Sequence, residues 1–444
     1  MRVLQTVRER KLDLRGKTVG AAVSGGSDSV ALLHFLRAHQ SELGIAKLIC
    51  VNVEHGIRGS DSRADSEFVQ KLCEKWDIPL LFTSASVPSL AKTRKVSLEL
   101  AARELRYEYF RELISLGECD LVATAHNLSD NAETVLMNVL RGSGGRGAAG
   151  IPYESAGIVR PLLDTPKSEI MEYISRHGLE YAEDASNLDT AYTRNFVRHG
   201  LIPLAETRFP GASAALAAFA SALREDGELL DSLARELIFP DRGALLVRAE
   251  NRPPALVKRA LGLALERLGA REDAGRAHYA AALRLIASGS AGDGLDFPGG
   301  VRVASEYGSL AVYLEGGEVP RPLLFSEGIA EFGSYALRMT YDEPFSPKKG
   351  RLQLDADKLP KAAQLRCIQS GDRFKALGGG TKKLCDYFTD IKLPLRLRAG
   401  VPLICAGSEV LAVCGIEVSD RVKITSDTRK TLTIYTEYLQ RSNL

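Results

Sequence analysis

Residues 22–29 read AVSGGSDS, a strand-like apolar end running into Ser24, Gly25, Gly26, Ser27, Asp28 and Ser29. The residues after it, VALLHFLRAH at 30–39, carry the apolar spacing of a helix. A strand that turns through two glycines into a helix N-terminus is an anion site. Unpaired backbone N–H groups and the positive end of the helix dipole converge there. The loop lacks the Gly-Lys-Ser/Thr ending of a P-loop, and it is not Gly-x-Gly-x-x-Gly. Its acidic member, Asp28, would repel a phosphate unless a divalent cation lay between them. Asp28 therefore reads either as a Mg²⁺ ligand or as one of three helix-capping residues.

Around this loop the first half of the chain alternates in pattern. Strand-like runs fall at residues 17–23, 47–54, 79–85, 119–125 and 157–163, and helical runs at 60–76, 97–116 and 165–177. That alternation implies parallel βαβ units and an α/β fold with a doubly wound parallel sheet, whose ligands bind at the carboxyl ends of the strands. Two clusters follow such strand ends. His55 and Arg58 come after the second, and His126, Asp130 and Glu133 after the fourth. Asp130 and Glu133 also have the spacing of a capping box. Glu99, Arg103 and Arg106 share one helix face, as a solvated ion-pair stripe or, if the crevice reaches them, a phosphate clamp. The stretch SNLDTAYTRNFVRH at 186–199 gathers Arg194, Asn195, Arg198 and His199, a mixture suited to nucleic-acid contacts or to a domain seam.

A chain of 444 residues, 45% hydrophobic and 26% charged, has room for two or three cores. Segments 212–238 and 255–270 are Ala/Leu-rich helical patterns, strand-like pieces follow at 300–315, and EVPRPLLF at 318–325 reads as a linker. The expected domains are 1–210 (α/β), 211–320 (a helical central domain) and 321–444 (a small mixed α/β domain). The net charge is only +2, yet residues 361–444 hold 14 Lys and Arg against 8 Asp and Glu. That surplus suits an anionic partner, the plain alternative being a solvated basic face. Seven scattered cysteines without a C-x-x-C pair argue for reduced thiols in a cytosolic protein, against a disulfide frame or a zinc site. Residues 1–17 have no apolar signal core, and no stretch is apolar enough to span a bilayer.

The loop SGGSDS resembles the pyrophosphate-binding loop of the N-type ATP pyrophosphatases (PP-loop enzymes), whose domain is Rossmann-like. VNVEHGIRG at 51–59, ELAARELRYEYF at 99–110, ATAHNLSDNAETVLMNVLRGSG at 123–144 and EDASNLDTAYTRNFVRHGLIP at 183–203 resemble the tRNA(Ile)-lysidine synthetase family. So do residues 371–404 and 409–420, which places the likeness at both ends of the chain. Where the family often has His-His-x-Asp-Asp-Gln, this chain has His126, Asn127, Leu128, Ser129, Asp130 and Asn131.

The resemblance implies a cytoplasmic enzyme that takes ATP and Mg²⁺, free lysine and the CAU-anticodon tRNA(Ile). It implies that ATP adenylates the C2 oxygen of the wobble cytidine and that lysine then displaces AMP to form lysidine. It assigns Ser24 to Ser29 to the phosphates, Asp28 and Asp130 to the metal, and Asp28, Arg103, His126, Asp130 and Glu133 to catalysis. Arg194, Asn195, Arg198, Lys375, Lys382, Lys383, Arg396 and Arg398 are expected to contact tRNA, and a homodimer is compatible with the pattern. Among enzymes sharing the loop, a tRNA thiolase would want cysteine pairs. NAD, GMP and asparagine synthetases would leave the basic C-terminal region without a purpose. A non-catalytic tRNA-binding protein would not need Asp28, His126 and Glu133 together.

Overall fold

The computed structural model describes the chain except residues 55–59, 183–192, 272–273, 289–291, 317–319, 325, 345–349 and 440–444. His55 and Arg58 lie outside the described residues, as does the side chain of Glu99. The chain divides into two compact units, Met1–Gly227 and Glu228–Leu444.

In the first unit the strands are β1 (Thr18–Ala22), β2 (Lys47–Glu54), β3 (Leu80–Ser84), β4 (Leu121–Ala123), β5 (Glu154–Ser155) and β6 (Ile158–Val159). The helices that bear on the site are α1 (Val3–Glu9), α2 (Ser27–Ala38), α3 (Gln40–Leu43), α4 (Ser60–Trp76), α5 (Val87–Arg94), α6 (Leu98–Ser115), α7 (Leu128–Leu140), α8 (Gly145–Ala148) and α9 (Lys167–His177). The sheet runs β3-β2-β1-β4-β6-β5, parallel throughout except for β5.

Alternation along β2 shows why it must be covered twice. Leu48 and Cys50 enter a core with residues of α1, α2, α4 and α9, whereas Ile49 and Val51 pack with Phe110 and Leu113 of α6. Leu32, Leu33 and Leu36 of α2 are wholly buried, each such side chain contributing about 1.5–3 kcal/mol relative to exposure. The order reverses beside β1: the chain fills β2 and β3 on one side, then crosses to β4 on the other. The carboxyl ends of β1 and β4 therefore open onto a topological switch point, the usual ligand crevice of such a sheet.

The second unit adds strands ahead of the helices to the strand-like pieces expected at 300–315. Ile238–Asp241, Ala244–Arg248, Gly294–Phe297, Val301–Glu306 and Ser309–Leu314 form a five-stranded antiparallel sheet. Helices Pro254–Arg267 and Arg276–Ser288 share its core, through Val257, Leu261, Leu265 and Ala282. The first two strands escape a helical-periodicity reading because they are short. Their two-residue link, Arg242 and Gly243, has φ of 39° and 76°, the left-handed pair that a tight hairpin needs. The rest of the unit is a seven-stranded and a four-stranded sheet with short helices Leu384–Asp390 and Leu395–Arg398, a mixed α/β arrangement. Six of the seven cysteines are buried and Cys385 is exposed, all as free thiols. Among the described residues no helix is long and apolar enough to cross a membrane.

Candidate active site

The loop between β1 and α2 is held from within. Gly25 has φ of 91°, where any side chain would be strained, and its carbonyl accepts the Ala182 N–H at 3.0 Å. Gly26 is the N-cap of α2 and has no side chain to occupy the helix end. Ser29 turns inward: its hydroxyl donates to the Gly26 carbonyl at 2.8 Å and accepts the Ser24 N–H at 3.2 Å. Ser29 therefore braces the turn without capping the helix, while Ser27 and Asp28 point elsewhere.

Their partner is Lys167, the first residue of α9. Its ammonium lies 2.6 Å from Asp28 Oδ1 and donates to Ser27 Oγ at 2.8 Å. The other Asp28 oxygen accepts from Asn127 Nδ2 at 3.3 Å. Burial raises the Asp28 pKa, aided by Asp130 and opposed by Lys167.

Asn127 belongs to the β4–α7 turn and corrects one local expectation. The capping box of α7 is built by Asn127 and Asp130, not by Asp130 and Glu133, because the helix starts at Leu128. Asn127 Oδ1 accepts the N–H groups of Ser129 (2.9 Å) and Asp130 (3.1 Å), and Asp130 Oδ2 accepts the Asn127 N–H at 3.0 Å. Asn131, next to it, is buried and accepts the Ile151 N–H at 2.9 Å.

Freed from capping, Glu133 lies on the inner face of α7, and its side chain is 1% exposed. Both its oxygens are taken: Arg198 Nε reaches Oε1 at 2.6 Å, and Arg194 Nε reaches Oε2 at 2.9 Å. The same two guanidiniums converge on Asp130 Oδ1, at 3.1 Å and 2.8 Å. Two arginines and two carboxylates thus form one charge-assisted cluster. Arg198 lies on a π-helical turn, Val197–Leu201, an irregularity found mostly at functional sites.

His126 sits above this cluster, with Nδ1 3.0 Å from the Thr124 hydroxyl. Burial, with Arg160, Arg194 and Arg103 nearby, outweighs the pull of Asp130 and lowers its pKa to about 4, so the ring is neutral near pH 7. Arg103 itself is exposed and lies 4.9 Å over the Tyr107 ring.

Asp28, His126, Asp130, Glu133, Arg194 and Arg198 are therefore brought together at the switch point. Arg194 and Arg198 are committed to α7, so their immediate partners are carboxylates of the crevice. Lys167 and Asn127 complete the site and were missed by sequence reasoning. Asn127 was readable as a capping residue, and Lys167 only as a cation at the unfavourable end of its own helix dipole. Asp28 and Asp130 flank Asn127 with hard oxygen donors. One or two carboxylates plus substrate phosphates is the usual Mg²⁺ set, so these residues fit that ion.

The basic C-terminal residues are arranged otherwise. Lys375 pairs with Asp420 at 2.9 Å and Lys382 with Asp390 at 2.6 Å. Arg396, expected at a tRNA surface, is instead an internal tie. Its side chain is 5% exposed and bonds Glu306 (2.9 Å), Asp241 (2.5 Å) and the Arg242 carbonyl (2.7 Å). Arg398 donates to the Leu393 carbonyl and to Thr389. Lys383 is exposed and opposite Arg373 in an antiparallel pair, like charge facing like charge.

A glycine loop with an internal carboxylate, opening at the switch point of a parallel sheet, defines an ATP-using PP-loop domain, and residues 2–205 match the PP-loop domain family. Residues 363–434 match the TilS substrate C-terminal domain. Along nearly its whole length the chain is 31% identical to the tRNA(Ile)-lysidine synthase of Clostridium tetani, covering 98% of this chain and 97% of that one. It is 34% identical to the enzyme of the same name from Symbiobacterium thermophilum (94% of each chain) and 32% identical to that of Geobacter sulfurreducens (93% and 92%). The chain belongs to the tRNA(Ile)-lysidine synthase family, ATP-dependent ligases built on a PP-loop domain.

Proposed function

We propose that this chain joins free lysine to C2 of the wobble cytidine in the CAU-anticodon tRNA(Ile), converting its reading from AUG to AUA and releasing AMP and pyrophosphate. The observation that carries the reading is the meeting of the Gly25–Gly26 turn, Asp28 and the Asn127–Asp130 cap at one switch point, in a chain that aligns end to end with lysidine synthases.

A ring carbonyl oxygen is a poor leaving group, and adenylation lets it depart as AMP. The loop amides and the N-terminus of α2 would bind the phosphates. Asp28 and Asp130 would hold Mg²⁺, which when bound neutralises charge growing on pyrophosphate. The attacking amine has a pKa near 10.4, so only about one lysine in a few thousand is neutral at pH 7 and its proton must be removed in place. Of the two candidate bases, His126 fits better: its ring is neutral near pH 7, and in the tautomer whose Nδ1–H donates to Thr124 it would accept at Nε2. Glu133 offers no oxygen without an arginine already on it. Residues 1–210 would do the chemistry while 211–320 and 321–444 hold tRNA, with Lys383 the most available of the expected phosphate contacts.

The test is incubation with ATP, labelled lysine and tRNA transcripts. Label retained by the CAU transcript alone is the expected result. Pyrophosphate release without label in RNA, or equal labelling of every transcript, would defeat the reading.

A further inference from the structure

We propose that Lys167 is a phosphate-binding residue of the nucleotide loop, set on α9 to contact the pyrophosphate half of ATP and to hold Asp28 in place before the nucleotide arrives. The inference rests on the loop being the ATP site.

Four observations carry it. Lys167 stands at the first position of α9, where a cation opposes its own helix dipole. Its N-cap, Pro166, offers no side-chain cap, and the acidic residue of the first turn, Glu169, is engaged by Arg2 at 2.9 Å. The residue is misplaced for its own helix and well placed for the neighbouring one. Its ammonium reaches the first turn of α2, at 2.6 Å from Asp28 and 2.8 Å from Ser27 Oγ.

Second, the reach is braced. α9 packs along α2 through a shared core of Ile170, Ile174, Leu32 and Leu36, and the His34 ring meets the Tyr173 hydroxyl at 2.8 Å. Third, an ammonium has three donors, and Asp28 and Ser27 occupy two of them. The lysine side chain is 43% exposed, so it is not sealed from an incoming ligand. Fourth, the loop needs this charge. Asp28 is an anion inside an anion-binding turn, and a fixed cation beside it converts a repulsive edge into one that accepts phosphate.

Full-length protein, wild type and Lys167→Ala, is titrated calorimetrically with inorganic pyrophosphate, ATP and AMP in the presence of Mg²⁺. The variant is expected to bind pyrophosphate and ATP about ten- to a hundredfold more weakly, the loss of one charge-assisted contact. AMP, which lacks the outer phosphates, should bind within about twofold of wild type, and Lys167→Arg should recover part of the loss. Should Lys167→Ala unfold, Lys167→Met, which keeps the aliphatic stem, carries the same expectation. Unchanged pyrophosphate binding overturns the proposal, and so does an equal loss for AMP, which would make Lys167 a brace of the loop alone. Wild-type protein that binds neither ATP nor pyrophosphate overturns it together with the nucleotide site. Wild-type protein that binds ATP yet transfers no lysine defeats the proposed function and leaves Lys167 standing.

Discussion

The crevice of the first unit and the basic region of the second are both rich in charge, but they use it differently. At the β1–β4 switch point every carboxylate meets a cation delivered from a distant part of the chain: Lys167 to Asp28, and Arg194 with Arg198 to Asp130 and Glu133. In the second unit Lys375 and Lys382 are each answered by a single carboxylate, and Arg396 is buried as a tie. Converging charge with one partly exposed face is what a reaction site needs. Charge answered one for one is what a surface or a core needs. A count of residues cannot tell these apart, whereas ordered motifs at strand ends can.

The largest effect that separates the two regions is chemical. Asp28→Ala should lower pyrophosphate release about a thousandfold with little change in the unfolding midpoint, because its ammonium partner is half exposed. Asp130→Ala should lose as much activity and also about 1 kcal/mol of stability, since it removes half of the α7 capping box. Near-normal pyrophosphate release by either variant would reduce the crevice cluster to the same structural role as the C-terminal ion pairs.

Next come two variants that should unfold rather than inactivate. Glu133→Ala leaves two guanidiniums facing a buried gap and should cost about 3 kcal/mol in denaturant unfolding. Arg396→Ala in the second unit should cost about the same, because Glu306 is 7% exposed and loses its cation. Its tRNA binding should keep the wild-type salt dependence. Lys383→Ala is the converse: no measurable change in stability, and a salt slope smaller by about one unit. An Arg396 variant that alters the slope, or a Lys383 variant that does not, would erase the distinction drawn here between ties and contacts.

Much of the first unit was legible. The 47–54 strand and the 60–76 helix coincide with β2 and α4, because a continuous apolar run reports a strand covered on both faces and a 3.6-residue period reports a helix covered on one. His126, Asp130 and Glu133 were found because they follow a strand. Lys167, the bond from Asn127 to Asp28 and the pairing of Arg194 and Arg198 with α7 were not, since those contacts join residues 61 to 140 positions apart and leave no local pattern. The same reason hid the role of Arg396, whose partners Asp241 and Glu306 lie in a sheet whose first hairpin was itself too short to read. Long-range polar contacts are consequences of topology, and they become visible only once the strand order is known.

The smallest effect tests the seam that carries Lys167. At the far end of α2, the His34 ring lies against Tyr173 and His177 of α9 and Trp76 of α4, with ring centroids 5.6, 5.0 and 5.2 Å away. Burial, then His177, Arg37 and His39, hold its pKa below the ordinary 6.5. The unfolded chain therefore takes up a proton first as the pH falls below about 6.5, and the folded state loses stability from there down to its own lower pKa. Above pH 7 both states are neutral and the residue contributes no pH dependence. His34→Gln should make the drop in unfolding midpoint between pH 7.5 and pH 5.5 smaller than in wild type. If the two drops are equal, protonation of the His34 ring is not what weakens the first unit in acid.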